Sequence, residues 1–414
     1  MKTLIELYDD QSVLNLLAVC ALHPEPEDVV FIGEFPSNKR VRELKEWVDG
    51  FLSERGIRTV THFRSVNASD CTDIIDTLDA VEREFEDCAL EVCGGKYLVL
   101  LAAGIFAEHV DIPIFHYNIE KRRFEDIRGI GEVNKISPPH FTARDMLELT
   151  HAGIMGYGYF SAAELDFSMR NDVRELWMLF LAYKDSWHKK MLFFQKAGGP
   201  EEAPLNVDCP RDVVPGIAIE DNFFRDLERS CMITGLSLSD TRVRFNYKNG
   251  LVKAALTSAG AALELFTYTS IKKRPDLFDD CEIDIRVDWD GDGPSQTNNE
   301  LDIVAVSGVS TLFISCKSGK LDSDYLNEIY TLTYRLGGVF AKPVLMTAAL
   351  FPGTDNSTVL QRGYDLGIEQ ITLSEICPVI YEYGKTDLNR CRFCANKECE
   401  NNLAERLYDI CGND

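Results

Sequence analysis

Positive charge is scarce in this chain, and no leader pattern opens it. Its 43 Lys and Arg stand against 67 Asp and Glu, a formal net charge of −24. That balance excludes a protein that coats nucleic acid by neutralising phosphates, while leaving room for a local basic cleft or an enzyme that holds a strand briefly. The opening MKTLIELYDDQS has no basic region followed by an apolar run. The most apolar helical stretch, WMLFLAYKDSWHKKMLFF, is broken by Lys184, Asp185, Lys189 and Lys190. A soluble cytoplasmic protein with no membrane partner is expected. Internal repeats and low-complexity tracts are absent. So are the phosphate-loop pattern G-x-x-x-x-G-K-[ST] and the dinucleotide fingerprint G-x-G-x-x-G. Thirteen cysteines are present, but most sit singly in apolar stretches, as Cys20, Cys93, Cys231 and Cys316 do, and read as reduced thiols used as small hydrophobes.

With 414 residues and 45% hydrophobic content, the chain can bury two cores or more. Over residues 1–140, short apolar runs (KTLIEL, DVVFIG, RTVTHF, ALEVC, IPIFHYN) alternate with helical periodicity near residues 12–22, 39–55, 70–86 and 96–109. Such alternation predicts an α/β domain with a mainly parallel, Rossmann-like sheet. Residues 141–216 read as a helical connector ending in a Gly- and Pro-rich linker, residues 217–385 as a second domain, and 386–414 as a cysteine-bearing tail. In the second domain, TSAGAALELFTYTSIKK predicts a helix. EIDIRVDW, NELDIVAVS and TLFISCK predict strands, SDYLNEIYTLTYRLGG a helix and KPVLMTA a strand, giving the order αβββαβ.

That order carries an acid, Asp302, in its middle strand and a lysine, Lys317, at the end of the following one. A turn near residues 308–310 is expected to bring the two roughly opposite one another. Phosphodiester hydrolysis needs a divalent cation held by carboxylates and a positive group for the charge developing on phosphorus, and these residue types suit it. Glu264, an acid within GAALELF, either meets solvent or serves as a further ligand. Solvent-facing positions on alternating strands are the competing reading of Asp302 and Lys317.

The order αβββαβ, with Glu264, Asp302 and Lys317 where they stand, resembles the PD-(D/E)xK nuclease superfamily over about residues 258–347. The resemblance implies a restriction-endonuclease-like domain with Asp302 and Glu264 as metal ligands to Mn or Mg. It further implies that the Cys316 backbone carbonyl reaches the metal and that Lys317 is the catalytic lysine. One position departs: Ser315 stands where the family has Asp or Glu. The missing charge is then expected from Glu264, Glu300 or Glu328, unless the site is inactive, and a depleted shell would favour manganese over magnesium.

Two further motifs resemble metal sites. The run from Asp288 begins like a calcium loop but has Asn299 where a bidentate glutamate is needed, so a hairpin loop is expected. Cys391, Cys394, Cys399 and Cys411 are a zinc candidate, of which only the first pair has typical spacing.

In the first domain, Gly94 and Gly95 end a strand and Lys96 opens a helix, where free amides and a cation favour phosphate; close helix–strand packing is the alternative. The strand, GGK and LVLLAA helix, with DDQSVLN after the first strand, resemble CARF domains, which bind cyclic oligoadenylates. A CARF domain joined to a PD-(D/E)xK nuclease is the layout of ancillary effectors of type III CRISPR antiviral defence. The resemblance implies a homodimer with a two-fold pocket for cyclic tetra-adenylate. Gly94, Gly95 and Lys96 would hold phosphates, and Asp10, Gln11, Ser12 and Asn15 would contact ribose or base. It also implies a ligand-gated, metal-dependent endonuclease acting on single-stranded DNA or RNA and nicking duplex DNA. An acidic enzyme kept off nucleic acid at rest would still need a local cationic track, and Lys272, Lys273, Arg274, Lys317 and Lys320 are expected to supply it. The readings set against it are a non-catalytic nucleotide sensor with a degenerate nuclease domain, and a DNA-repair nuclease not gated by a cyclic ligand.

Overall fold

The computed structural model describes residues 1–10, 12–131, 133–158, 160, 165, 169–199, 203–258, 260–289, 299–319, 321–347, 357–376 and 398–412. The chain divides into two compact units, residues 1–140 and 141–413.

The first unit runs β1 (Thr3–Leu7), α1 (Ser12–Ala21), β2 (Asp28–Gly33), α2 (Asn38–Glu54), β3 (Val60–Ser65), α3 (Cys71–Glu84), β4 (Cys88–Glu91), α4 (Tyr97–His109), β5 (Ile114–Asn118) and β6 (Arg123–Arg128). Its sheet has the order β3-β2-β1-β4-β5-β6, parallel except for the β5–β6 pair. The centre of the sheet is buried on both faces: Leu4, Ile5, Val29, Val30 and Ile32 are all fully covered, as a doubly wound parallel sheet requires. Ser37 and Asp70 cap α2 and α3 by accepting backbone N–H groups, which fixes where those helices begin. This is the Rossmann-like fold the alternation predicts.

The second unit opens with α5 (Ala143–Glu148), β7 (Gly153–Tyr157), α6 (Arg170–Tyr183), α7 (Trp187–Gly198), β8 (Asn206–Pro210), α8 (Asp221–Arg229), β9 (Ile233–Leu238), β10 (Arg242–Tyr247) and α9 (Gly250–Thr257). It continues with α10 (Ala261–Lys272), β11 (Asp280–Asp288), β12 (Asn299–Ser307), β13 (Ser310–Lys317), α11 (Ser323–Leu336), β14 (Ala341–Thr347), α12 (Ser357–Asp365), β15 (Glu369–Thr372), α13 (Leu373–Ile376) and α14 (Glu398–Gly412). The main sheet has the order β15-β14-β13-β12-β11-β7, and β8, β10 and β9 form a small antiparallel sheet. The segment from α10 to β14 reproduces αβββαβ. Alternation places Ile314, Cys316, Val344 and Met346 in the core shared with α10, while Leu345 joins Leu326 and Ile329 of α11 on the opposite face.

Two expected boundaries differ. Residues 141–216 are built into the second unit: β7 pairs antiparallel with β11, and Trp177 of α6 stacks on Phe266 of α10 at 4.0 Å between ring centroids. Gly and Pro density marked a loop near residue 200 and gave no sign of this long-range pairing. The described part of the tail, residues 398–412, is likewise packed. Leu403, Ala404, Leu407, Ile410 and Cys411 of α14 are buried in the same core, and Ser310 Oγ donates to the Cys411 carbonyl at 3.0 Å. No described helix is long and apolar enough to cross a membrane.

Candidate active site and ligand turn

The β12–β13 hairpin decides the site. Ser307 pairs with Ser310, leaving a two-residue turn with Gly308 at φ 62°, a left-handed conformation that glycine adopts without strain. The register continues through Ile303 and Ile314. Asp302 therefore lies beside Ser315, and Lys317 falls two residues further along, so the expected opposition of Asp302 and Lys317 is not met by register. The lysine's reach brings them together instead. Lys317 Nζ lies 3.4 Å from Asp302 Oδ2, which also accepts from the Cys316 backbone N–H at 2.7 Å and from Ser315 Oγ at 3.2 Å. Three donors on one oxygen fix the carboxylate and leave Oδ1 without a donor among the described residues.

Glu264 approaches from the first turn of α10. Gly260 leaves no room for a Cβ against its carboxylate, and the Cys316 carbonyl lies on the same side. Burial, and then the Asp302 charge, push its carboxyl well above the usual range. Burial alone would lower Lys317, but the Asp302 and Glu264 carboxylates outweigh it and hold the ammonium above its ordinary value. Lys317 is thus a fixed positive charge at neutral pH, with its Nζ 5.2 Å from the Tyr325 ring centroid. These groups line a cavity of about 720 Å³, with Glu300, Glu328, His188 and Tyr325 also on its wall.

The residues present suit a divalent cation: two converging carboxylates, one strongly destabilised as an anion, are balanced among the described residues by Lys317. Among the described residues no three His, Cys, Asp or Glu side chains close on one point. Asp302, Glu264 and the Cys316 carbonyl would hold an ion that completes its shell with other oxygens, as Mg²⁺ and Mn²⁺ do.

The cationic track is not available as expected. Lys273 pairs with Glu400 at 2.6 Å, Arg274 with Asp276 and Glu405 at 2.9 and 3.1 Å, and Lys272 with Asp280 at 3.3 Å. The partners Glu400 and Glu405 belong to α14, whose docking spacing did not reveal. Lys320, Cys391 and Cys394 lie outside the described residues, as do Gln11, the calcium-like loop after Trp289 and the side chains of Ser12 and Cys399. Cys411, the fourth zinc candidate, is a core residue.

In the first unit, Gly94 and Gly95 lie against the end of β1. A Cβ at Gly94 would meet the Leu7 carbonyl at 2.8 Å, and Gly95 has φ 102°, so close packing and backbone conformation both call for glycine. The Gly95 N–H donates to Asp9 at 3.1 Å, and Lys96 pairs with Glu34 at 2.6 Å. Asp10 is exposed at the same turn. Asn15 is buried and is spent on the turn itself: its amide oxygen takes the Asp9 N–H at 2.7 Å and its Nδ2 donates to the Asp9 carbonyl at 2.8 Å. Below lie two buried acids that are neighbours across β1 and β4, Glu6 and Glu91. Burial and mutual repulsion raise Glu6 well above the usual range, and burial lifts Glu91 to about 7.

Tyr325 and His188 were not anticipated. Tyr325 follows the α11 start two residues after Ser323 and reads as an ordinary helix position, and His188 sits in the segment taken for a connector.

No curated protein matches the chain. Among solved structures, protein VC1899 from Vibrio cholerae superposes with a TM-score of 0.70 at 18% identity, covering 95% of this chain and 98% of that one. Can2 from Sulfobacillus thermosulfidooxidans, in complex with cyclic tetra-adenylate, superposes with a TM-score of 0.62 at 16% identity, covering 89% of this chain and 95% of that one. These likenesses establish the fold, an N-terminal Rossmann-like unit followed by a restriction-endonuclease-like one. Residues 253–382, which hold Glu264, Asp302 and Lys317, match the family described as the Card1-like endonuclease domain.

Proposed function

We propose that this protein is a divalent-cation-dependent endonuclease, gated by cyclic tetra-adenylate bound at the first unit, that cuts single-stranded DNA or RNA and nicks duplex DNA in type III CRISPR defence. The observation that carries the reading is the convergence of Asp302, Glu264 and a charged Lys317 in one cavity inside the Card1-like region. When bound, Mn²⁺ or Mg²⁺ would supply Lewis acidity toward the scissile phosphate. Asp302, fixed by three donors, and Glu264 would hold the cation. Lys317, held protonated, sets a positive charge against the phosphoryl oxygens as charge builds there, and Tyr325 limits where that ammonium can swing.

For the ligand, the reading rests on the Gly94–Gly95–Lys96 turn beside Asp10 and on the cyclic tetra-adenylate complex of the Can2 neighbour. A homodimer fits α4, which starts at this turn and exposes Tyr97, Leu101 and Ile105 along one face, at 87%, 58% and 37%. A two-fold ligand matches an isologous pair. Ser315 favours a second reading, a sensor whose nuclease site is dead.

Incubation of the purified protein with manganese and a labelled single strand, DNA and RNA separately, with and without cyclic tetra-adenylate, separates the readings. Ligand-dependent cleavage lost in Lys317→Ala is expected. Ligand binding with no cleavage supports the sensor, and cleavage without ligand supports an ungated repair enzyme.

A further inference from the structure

Asp284 is the most costly residue near the site. It sits in the middle of β11 with φ 56°, a left-handed conformation that an aspartate in a strand does not adopt without strain. Its neighbours Ile283 and Ile285 pair with Ile303 and Leu301, so Asp284 interrupts the ladder at the level of Asp302. It is 3% exposed, one carboxylate oxygen takes the Phe160 N–H at 2.8 Å, and the other has no hydrogen-bond partner among the described residues. Gly158 leaves no space for a Cβ beside it. Glu300 pairs across the strands with Arg286, two residues along from Asp284, which brings the two acids into one neighbourhood. Two carboxylates cannot bond to each other unless a proton or a cation stands between them.

Strain, burial and an unpartnered oxygen on one acid, beside the wall that lacks a charge at Ser315, point to use. Resting on the nuclease reading above, we propose that Glu300 is the carboxylate that replaces the one missing at position 315, completing the cation site with Asp302, and that Asp284 is a positioning residue that holds Glu300 toward it. Glu300 is suited to this role because it lines the cavity, precedes Asp302 by the strand period of two, and is exposed at the open edge with room to turn inward. Glu328, the other exposed acid on the wall, has no such buried acid beside it among the described residues.

The test is Mn²⁺ binding to the full chain, followed by electron paramagnetic resonance of free Mn²⁺, with melting temperature recorded for each variant. Glu300→Gln should weaken binding about 10-fold or more, and Asp284→Asn about 10- to 100-fold. Combining them should cost no more than the larger single loss. In a Ser315→Glu background the carboxylate is restored, so Glu300→Gln should then cost about 3-fold or less, an asymmetry that a merely structural role for Glu300 would not produce. Asp302-dependent Mn²⁺ binding that ignores Glu300→Gln, or an equal loss in both backgrounds, overturns the inference and leaves the nuclease reading standing. Binding seen only in Ser315→Glu overturns both.

Discussion

At the scale of single residues, the chemistry turns on what a buried charge has nearby. Lys317→Ala should lower ligand-stimulated cleavage about 10²- to 10³-fold with little change in cyclic tetra-adenylate affinity, read by single-turnover kinetics and calorimetry, because the lost charge acts within the nuclease site and not at the ligand turn. The Glu6–Glu91 pair makes a separate prediction about pH. An acid whose folded pKa lies above its ordinary value binds more protons folded than unfolded, so its stabilising effect is complete below about pH 4.5 and is lost as pH rises through the folded value. For Glu91 that window runs from the ordinary 4.5 to about 7. Melting temperature should therefore fall between pH 5 and 8, and Glu6→Gln should flatten the fall and raise the melting temperature at pH 8 by roughly 3–6 °C. A steeper fall in the variant would show that the repulsion is met some other way. Asp302, Lys317 and Glu264 were legible as residue types at set intervals. Asp284 was not, because Glu282, Asp284 and Arg286 alternate as a solvent-facing edge would, and a left-handed φ leaves no mark on composition.

At the scale of elements, periodicity and pairing part company. Hydrophobic period was enough for the strands and helices of the first unit and the αβββαβ run, since that signal is local. Long-range partners were hidden: β7 joins the nuclease sheet across more than a hundred residues, and α14 claims the basic residues that close α10. The register of the hairpin was missed by two residues because a two-residue turn and a longer one share the same Gly308. Two outcomes follow. Leu101→Glu should convert the protein to a monomer by sedimentation and abolish cyclic tetra-adenylate binding, since the exposed face of α4 begins at the ligand turn. Leu407→Ala, at a fully buried position of α14, should destabilise the second unit by about 2–5 kcal/mol in denaturant unfolding while the transition of the first unit stays put.

At the scale of the whole molecule, net charge is the governing quantity. With −24 charges and the α10 cations paired off, the chain offers nucleic acid few phosphate contacts. Affinity for a single strand should be weak and its logarithm should fall with the logarithm of salt at a slope of roughly −1 to −2, against the slope near −10 of a strongly basic binder. A steep slope, measured by fluorescence anisotropy between 50 and 200 mM salt, would mean that the acidic surface hides a larger basic channel. Weak intrinsic binding suits an enzyme whose action must depend on a signal and not on encounter.

Helix α14 also sets an order of events during synthesis. Its side chains fill the core beneath α10, and its last turn is tied to the start of β13. The sheet that carries Asp302 and Lys317 is therefore still unsealed when those residues leave the ribosome, and it stays so until the chain has been extended through residue 412. The first unit, whose contacts lie within residues 1–140, has everything it needs long before. A nascent chain thus acquires its receiver before its blade, and a truncated product that stops short of α14 carries the first without a finished second.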